Sequence, residues 1–152
     1  MVLFHRPFES IAANVYFQPH AKLVGSFEGE SRMYRLTKRL QFEAAHRIPD
    51  YPGKCRNLHG HTYFVDVEVC GEDLDRLGIL LDFNEIAKLK EILPDHSLLN
   101  ESLPEGVHTT TEGLSRYLFG RFREALREVP RISLSAVTVH EGPNSWCRFE
   151  ED

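Results

Sequence analysis

No apolar run in this 152-residue chain approaches the ~18 residues that a membrane-spanning helix requires. The N-terminus, MVLFHRPFES, lacks a basic segment followed by a long apolar one, so a secretory signal is not expected. A basic excess is missing too. Eighteen Lys and Arg stand against 23 Asp and Glu, giving a formal charge of -5. The cations are spread along the sequence, which argues against a broad nucleic-acid-binding face and leaves room only for a local anion pocket. Cysteine is scarce: Cys55, Cys70 and Cys147 form an odd set, poor material for a disulfide framework. These absences point to a reducing, cytoplasmic setting. There is no low-complexity segment, and no internal repeat beyond the approximate symmetry of two hairpins.

What remains is an ordinary globular composition, 41% hydrophobic and 27% charged, in a chain long enough for one domain with a real core. Residues 1–32 show short apolar pieces broken by Pro7, Pro19, Gly25 and Gly29, and read as an N-terminal extension of unknown role. From 33 to 152 the pattern is that of a single domain. In MYRLTKRLQFEAAH, Tyr34, Leu36, Leu40, Phe42, Ala44 and His46 share one parity, which predicts a half-buried strand. His61, Tyr63, Val65, Val67 and Val69 repeat that alternation in a second strand starting near His59. Asp82 with Glu85 has capping-box spacing ahead of a helix face made by Phe83, Ile86, Leu89 and Leu93. Thr109 with Glu112 repeats the signature before Leu114, Tyr117, Leu118, Phe122, Ala125 and Leu126. ISLSAVTVHE and SWCRFEE read as two last strands around the turn Gly142-Pro143-Asn144. The order is β-β-α-α-β-β. It predicts an α+β fold: a four-stranded antiparallel sheet with two helices on one face.

Residues i and i+2 of a strand point the same way. His59 and His61 therefore share the face of Tyr63 and Val65, and His46 ends the first strand on its own apolar face. If the strands pair, three imidazoles converge. Three neutral imidazoles suit Zn²⁺ and leave a coordination position open, as catalytic sites do. For a lone histidine a hydrogen-bonded core role is the better reading; a His-x-His pair with a third histidine of matching parity shifts the balance. Cys55 lies four residues before His59, between Lys54 and Arg56, where positive charge favours the thiolate. From position alone it is a fourth ligand, a base or a nucleophile. Cys70 and Cys147 lie in strand-like runs and read as packing residues. Asp95-His96 reads by default as helix termination, and neighbours in sequence do not easily form a side-chain relay. Glu141 is a strand-end carboxylate, of interest only if that end borders the metal. Thr109-Thr110-Thr111 reads by default as helix capping.

EAAHR, KCRNLHGHTY, LPDHSLLN, TTTE and VTVHEG, in this order, resemble the 6-pyruvoyltetrahydropterin synthase family over about residues 33–150. The resemblance implies the tunnelling fold and a zinc-dependent lyase acting on a pterin triphosphate. It implies His46, His59 and His61 as zinc ligands, Cys55 as catalytic thiol, and Asp95 and His96 as the pair that works with it. Glu141 matches the carboxylate that takes the N–H groups of the pterin ring, and Thr110 and Thr111 match threonines lining that pocket. It further implies homo-oligomers, trimers stacked into hexamers, with active sites at subunit interfaces. The three-residue gap between Cys55 and His59 resembles the bacterial 6-carboxy-5,6,7,8-tetrahydropterin synthases of queuosine and 7-deazaguanine biosynthesis. The animal-type 6-pyruvoyl enzymes typically carry two more residues there. Gly113 departs from the asparagine that relatives often have. Arg47 and Lys54 are candidates to hold the triphosphate. The rival expectations are 6-pyruvoyltetrahydropterin synthesis, and a non-catalytic zinc-stabilised binding module.

Overall fold

A computed structural model describes residues 32–151; the expected N-terminal extension, apart from Arg32, lies outside the described residues. Strand β1 (Tyr34–His46) and strand β2 (His59–Gly71) span 13 residues each because their alternation is sustained, with Lys38 the exception in β1 and Phe64 in β2. They pair antiparallel from Tyr34 opposite Gly71 to His46 opposite His59. Next come helix α1 (Phe83–Ala87), strand β3 (Ser97–Leu98), helix α2 (Leu99–Ser102), helix α3 (Thr111–Leu126), strand β4 (Ser133–His140) and strand β5 (Trp146–Phe149). The sheet order is β3-β1-β2-β4-β5.

The apolar parity of each strand faces the helices. Phe42, Tyr63, Val65, Val67 and Val139 meet Ile86, Leu89, Leu118 and Phe122 in one core, and the Phe42 and Tyr63 rings stack with centroids 4.9 Å apart. The opposite face is charged. Arg39 makes two 2.7 Å hydrogen bonds to Asp66, and Glu68 accepts from both Arg35 and Arg148.

The expected four-stranded antiparallel sheet with two helices is corrected on three points. A fifth strand, β3, lies parallel to β1, with Ser97 opposite Ala44 and Leu98 opposite Ala45. Two residues cannot display a period, so the alternation rule is blind to it; the backbone of Glu43 secures it by accepting from His96 N–H at 2.6 Å. The first predicted helix keeps its Asp82 cap, which accepts from Asn84 N–H at 2.8 Å. It then tightens into a 3₁₀ turn at Lys88–Ile92 and stops short of Pro94, a residue that disfavours helical backbone at its predecessor. At α3 the cap is Thr110, whose Oγ1 accepts from Gly113 N–H, and not Thr109. Among the described residues no helix is long and apolar enough to cross a membrane.

Candidate metal centre and active site

The β1–β2 register places His46 directly opposite His59, with His61 one pleat further along β2. The side chains come together as parity predicts: one ligand atom from each of His46, His59 and His61 lies within 4.8 Å of the others. His46 is fully buried, and its Nδ1 stands 2.8 Å from the Thr109 carbonyl. His59 Nδ1 stands 2.8 Å from the carbonyl of Asn57. A carbonyl oxygen only accepts, so both rings carry a proton on Nδ1 and turn Nε2 inward. Those two Nε2 atoms are 3.1 Å apart, and the buried His61 Nε2 has no hydrogen-bond partner among the described residues. Ring nitrogens at that distance share either a proton or a metal ion. Three imidazoles, each anchored or orphaned in this way, fit zinc: tetrahedral Zn–N distances of ~2.0–2.1 Å separate ligand atoms by about 3.3 Å.

Glu141 follows β4 and turns inward. Its Oε1 stands 3.2 Å from His46 Nε2 and 3.6 Å from His61 Nε2, and the Tyr63 hydroxyl donates to it at 3.5 Å. The electrostatics follow from this packing. A hydrogen bond from His46 holds the Glu141 carboxyl below its usual range against the opposing effect of burial, with His61 assisting. Burial pushes His46 toward neutrality, yet Glu141 and the Thr109 carbonyl together leave its pKa above the ordinary value. Burial keeps His61 below its ordinary value, reinforced by the other two imidazoles and opposed by Glu141. The Tyr63 phenol is pushed far up by burial and by Glu141.

Cys55 sits in a 3₁₀ turn at Lys54–Arg56, half-buried, and its carbonyl accepts from Ile48 N–H at 2.8 Å. This bond folds the loop back on the end of β1, so the thiol is tethered at the histidine end of the hairpin. Cys55 lies outside the group of converging donors, which is made of the three histidines. Asp95 and His96 do form a side-chain pair, contrary to the expectation for sequence neighbours: His96 Nδ1 is 3.0 Å from Asp95 Oδ1. The reason is backbone conformation. His96 has φ +54, a left-handed geometry that turns its ring back on the preceding residue. Asp95 also accepts from Glu43 N–H at 2.8 Å, the main cause of its lowered pKa. The exposed His96 ring and His61 line one open groove of about 580 Å³, with Glu43, Gly60 and Thr62 between them. Thr110 and Thr111 open α3; Thr110 is the cap, and Thr111 donates to Glu112 at 3.2 Å.

Reading the sequence missed four supports. Thr109 and Asn57 act through carbonyl groups, which no side-chain pattern reveals. Glu43 acts through its backbone. Tyr63 was visible: it shares the histidine parity, two residues beyond His61.

The sequence profile of the 6-pyruvoyl tetrahydropterin synthase family matches residues 35–152. A curated 6-carboxy-5,6,7,8-tetrahydropterin synthase of Haemophilus influenzae is 31% identical over 146 residues, covering 78% of this chain and all of the relative. A 6-pyruvoyl tetrahydrobiopterin synthase of Dictyostelium discoideum is 33% identical over 138 residues, covering 78% of this chain and 97% of the relative. The Caenorhabditis elegans 6-pyruvoyl tetrahydropterin synthase structure superposes with a TM-score of 0.69 at 23% identity, over 80% of this chain and 97% of its own, which shows a common fold.

Proposed function

Because this chain belongs to the 6-pyruvoyl tetrahydropterin synthase family, we propose that it converts 7,8-dihydroneopterin triphosphate and water to 6-carboxy-5,6,7,8-tetrahydropterin, acetaldehyde and triphosphate. The product would feed queuosine and 7-deazaguanine biosynthesis. The observation that carries the reading is the convergence of His46, His59 and His61 at the end of a hairpin whose loop brings Cys55 to the same end.

His46, His59 and His61 would hold zinc through Nε2. The chemistry the ion would supply is Lewis acidity, which polarises the hydroxyls of the substrate side chain. Cys55, as thiolate, takes a proton from that side chain. His96 accepts or returns protons through its solvent-facing Nε2, while Asp95 fixes the tautomer by taking the Nδ1–H. Glu141 receives the paired N–H donors of the pterin ring, an acceptor suited to a guanidine-like edge, with Thr110 and Thr111 lining that end. Arg47 and Lys54, both exposed, neutralise the triphosphate. Assembly as trimers or hexamers would let Asp95 and His96 of one copy serve Cys55 of another. The Dictyostelium relative's name favours 6-pyruvoyltetrahydropterin as the second reading.

The test is incubation of zinc-loaded protein with 7,8-dihydroneopterin triphosphate and identification of products by mass. The 6-carboxy product and acetaldehyde are expected, with turnover at least 10²-fold lower in Cys55→Ala, the scale of a lost acid–base group. A pyruvoyl product selects the second reading. A protein that binds zinc and turns nothing over is a binding module.

A further inference from the structure

We propose that Asn100 is a positioning residue for the metal centre, its carboxamide holding the backbone that carries His46. The assignment rests on the zinc reading above. Arg47 N–H donates to Asn100 Oδ1 at 2.9 Å, and Asn100 Nδ2 donates to the Arg47 carbonyl at 2.9 Å. One side chain thus takes both main-chain groups of the residue that follows His46. The Thr109 hydroxyl donates to the same Arg47 carbonyl at 3.0 Å, and the Thr109 carbonyl accepts from His46 Nδ1 at 2.8 Å. Backbone and ring of His46 are tied into one network, the backbone through Asn100 and the ring through Thr109.

The need for such a residue follows from where the sheet ends. β1 is paired with β2 up to His46 opposite His59. On its other side β3 offers only Ser97 opposite Ala44 and Leu98 opposite Ala45. Continued in register, that ladder would set Leu99 against His46 and Asn100 against Arg47. The chain turns into α2 at Leu99 instead, so the backbone rung is missing. A carboxamide carries the same N–H and C=O pair as a peptide group, and Asn100 supplies the rung from its side chain. Leu99 is fully buried, which anchors the helical turn from which Asn100 reaches out. At the other end, Asp95 accepts from Glu43 N–H at 2.8 Å while His96 N–H donates to the Glu43 carbonyl at 2.6 Å. Residues 95–100 therefore splint β1 from Glu43 to Arg47, with His46 inside the splint. Weakly held strand ends open locally at low free energy, and a ligand on such an end is not preorganised. Hydrogen-bond partners behind the ligands of a metal typically change its affinity roughly 10–100-fold.

The experiment uses the full chain as wild type, Asn100→Ala and Asn100→Leu, with Glu68→Gln as a control on the opposite face of the sheet. Asn100→Leu keeps the bulk and removes both hydrogen bonds, which separates bonding from packing. Two quantities are read below each protein's melting temperature. One is zinc affinity, by competition with a chromophoric chelator; the other is amide hydrogen exchange at Arg47 in the metal-free chain. Both Asn100 variants are expected to bind zinc about 10-fold more weakly or worse, and to exchange the Arg47 amide several-fold faster. Glu68→Gln is expected to match the wild type in both. Faster exchange with unchanged zinc affinity would make the clamp a structural one only and overturn the proposal. Unchanged exchange would show that Asn100 does not hold Arg47, and overturn it at its root. An equal loss of zinc affinity in Glu68→Gln would trace the effect to general stability, which also overturns it. A wild type that binds no zinc while its Arg47 amide responds to Asn100→Ala would overturn the metal centre, and the assignment with it.

Discussion

Glu68 within the sheet and Glu141 just beyond β4 have opposite surroundings. Glu68 accepts from Arg148 at 3.1 and 3.2 Å, from Ser135 at 2.7 Å and from Arg35 at 3.0 Å. The Arg148 hydrogen bonds, against burial and with Ser135 and Arg35 assisting, lower its pKa to about 2. Glu141 faces imidazoles and a phenol instead. Since the folded pKa of Glu68 is depressed, its contribution is present above the unfolded value, ~4.3, and is lost as pH falls toward 2. Glu68→Gln should therefore cost about 1–2 kcal/mol at pH 7. Paired urea melts across pH should show the gap between wild type and variant closing from pH ~4.5 downward. A gap independent of pH would mean that Glu68 acts by shape and not by charge. At this scale the sequence was legible where chemistry depends on side-chain parity, as for the three histidines. It was opaque where backbone groups do the work. The Thr109 and Asn57 carbonyls, and the left-handed turn at His96 that joins it to Asp95, leave no trace in residue type.

Among the elements, the start of α3 bears most directly on the site, because the segment leading into it presents the Thr109 carbonyl to His46 and the Thr109 hydroxyl to the Arg47 carbonyl. Gly113 lies one turn in, where a Cβ would stand 2.1 Å from the His108 carbonyl oxygen. That contact accounts for glycine at a position where the resemblance leads one to expect asparagine: the His108 backbone packs too close for any side chain. Alanine's helix propensity would favour Gly113→Ala by about 1 kcal/mol, whereas forcing the backbone aside costs about 2–3 kcal/mol. The clash wins. A Tm lower by roughly 4–10 °C is expected in calorimetry; an unchanged or higher Tm would mean that the 107–109 segment yields freely. Long elements were legible because β1, β2 and α3 each repeat their period several times. β3 and α2 were not, since two and four residues fit within a loop signature, and the 3₁₀ turn at Lys88–Ile92 carries the same apolar spacing that a full helix would.

At the scale of the molecule, the sheet formed by the described residues ends in two strands of different character. β3 is two residues long, and β5 is four residues long and bonded on one side to β4. An open edge carries N–H and C=O groups that pair readily with another chain, and natural edges are commonly blunted by charge or cover. β5 presents, besides the charged Arg148, Trp146, 59% exposed and set against the His140 ring at 5.6 Å. Joining one edge of each sheet to the other edge of the next is a head-to-tail contact, and such contacts close into rings when the rotation permits. The ring that the proposed shared active site requires would run through this edge, with the charged face of Arg39, Asp66, Glu68 and Arg148 turned to one side. Sedimentation velocity should therefore find a species several times the 17.5 kDa chain mass. Trp146→Glu, which places a charge at the joint and leaves the buried core intact, should shift the distribution toward the monomer and lower turnover with it. Dissociation with full activity would mean that each chain holds a complete site. An unchanged distribution would place the contact between copies elsewhere than β5.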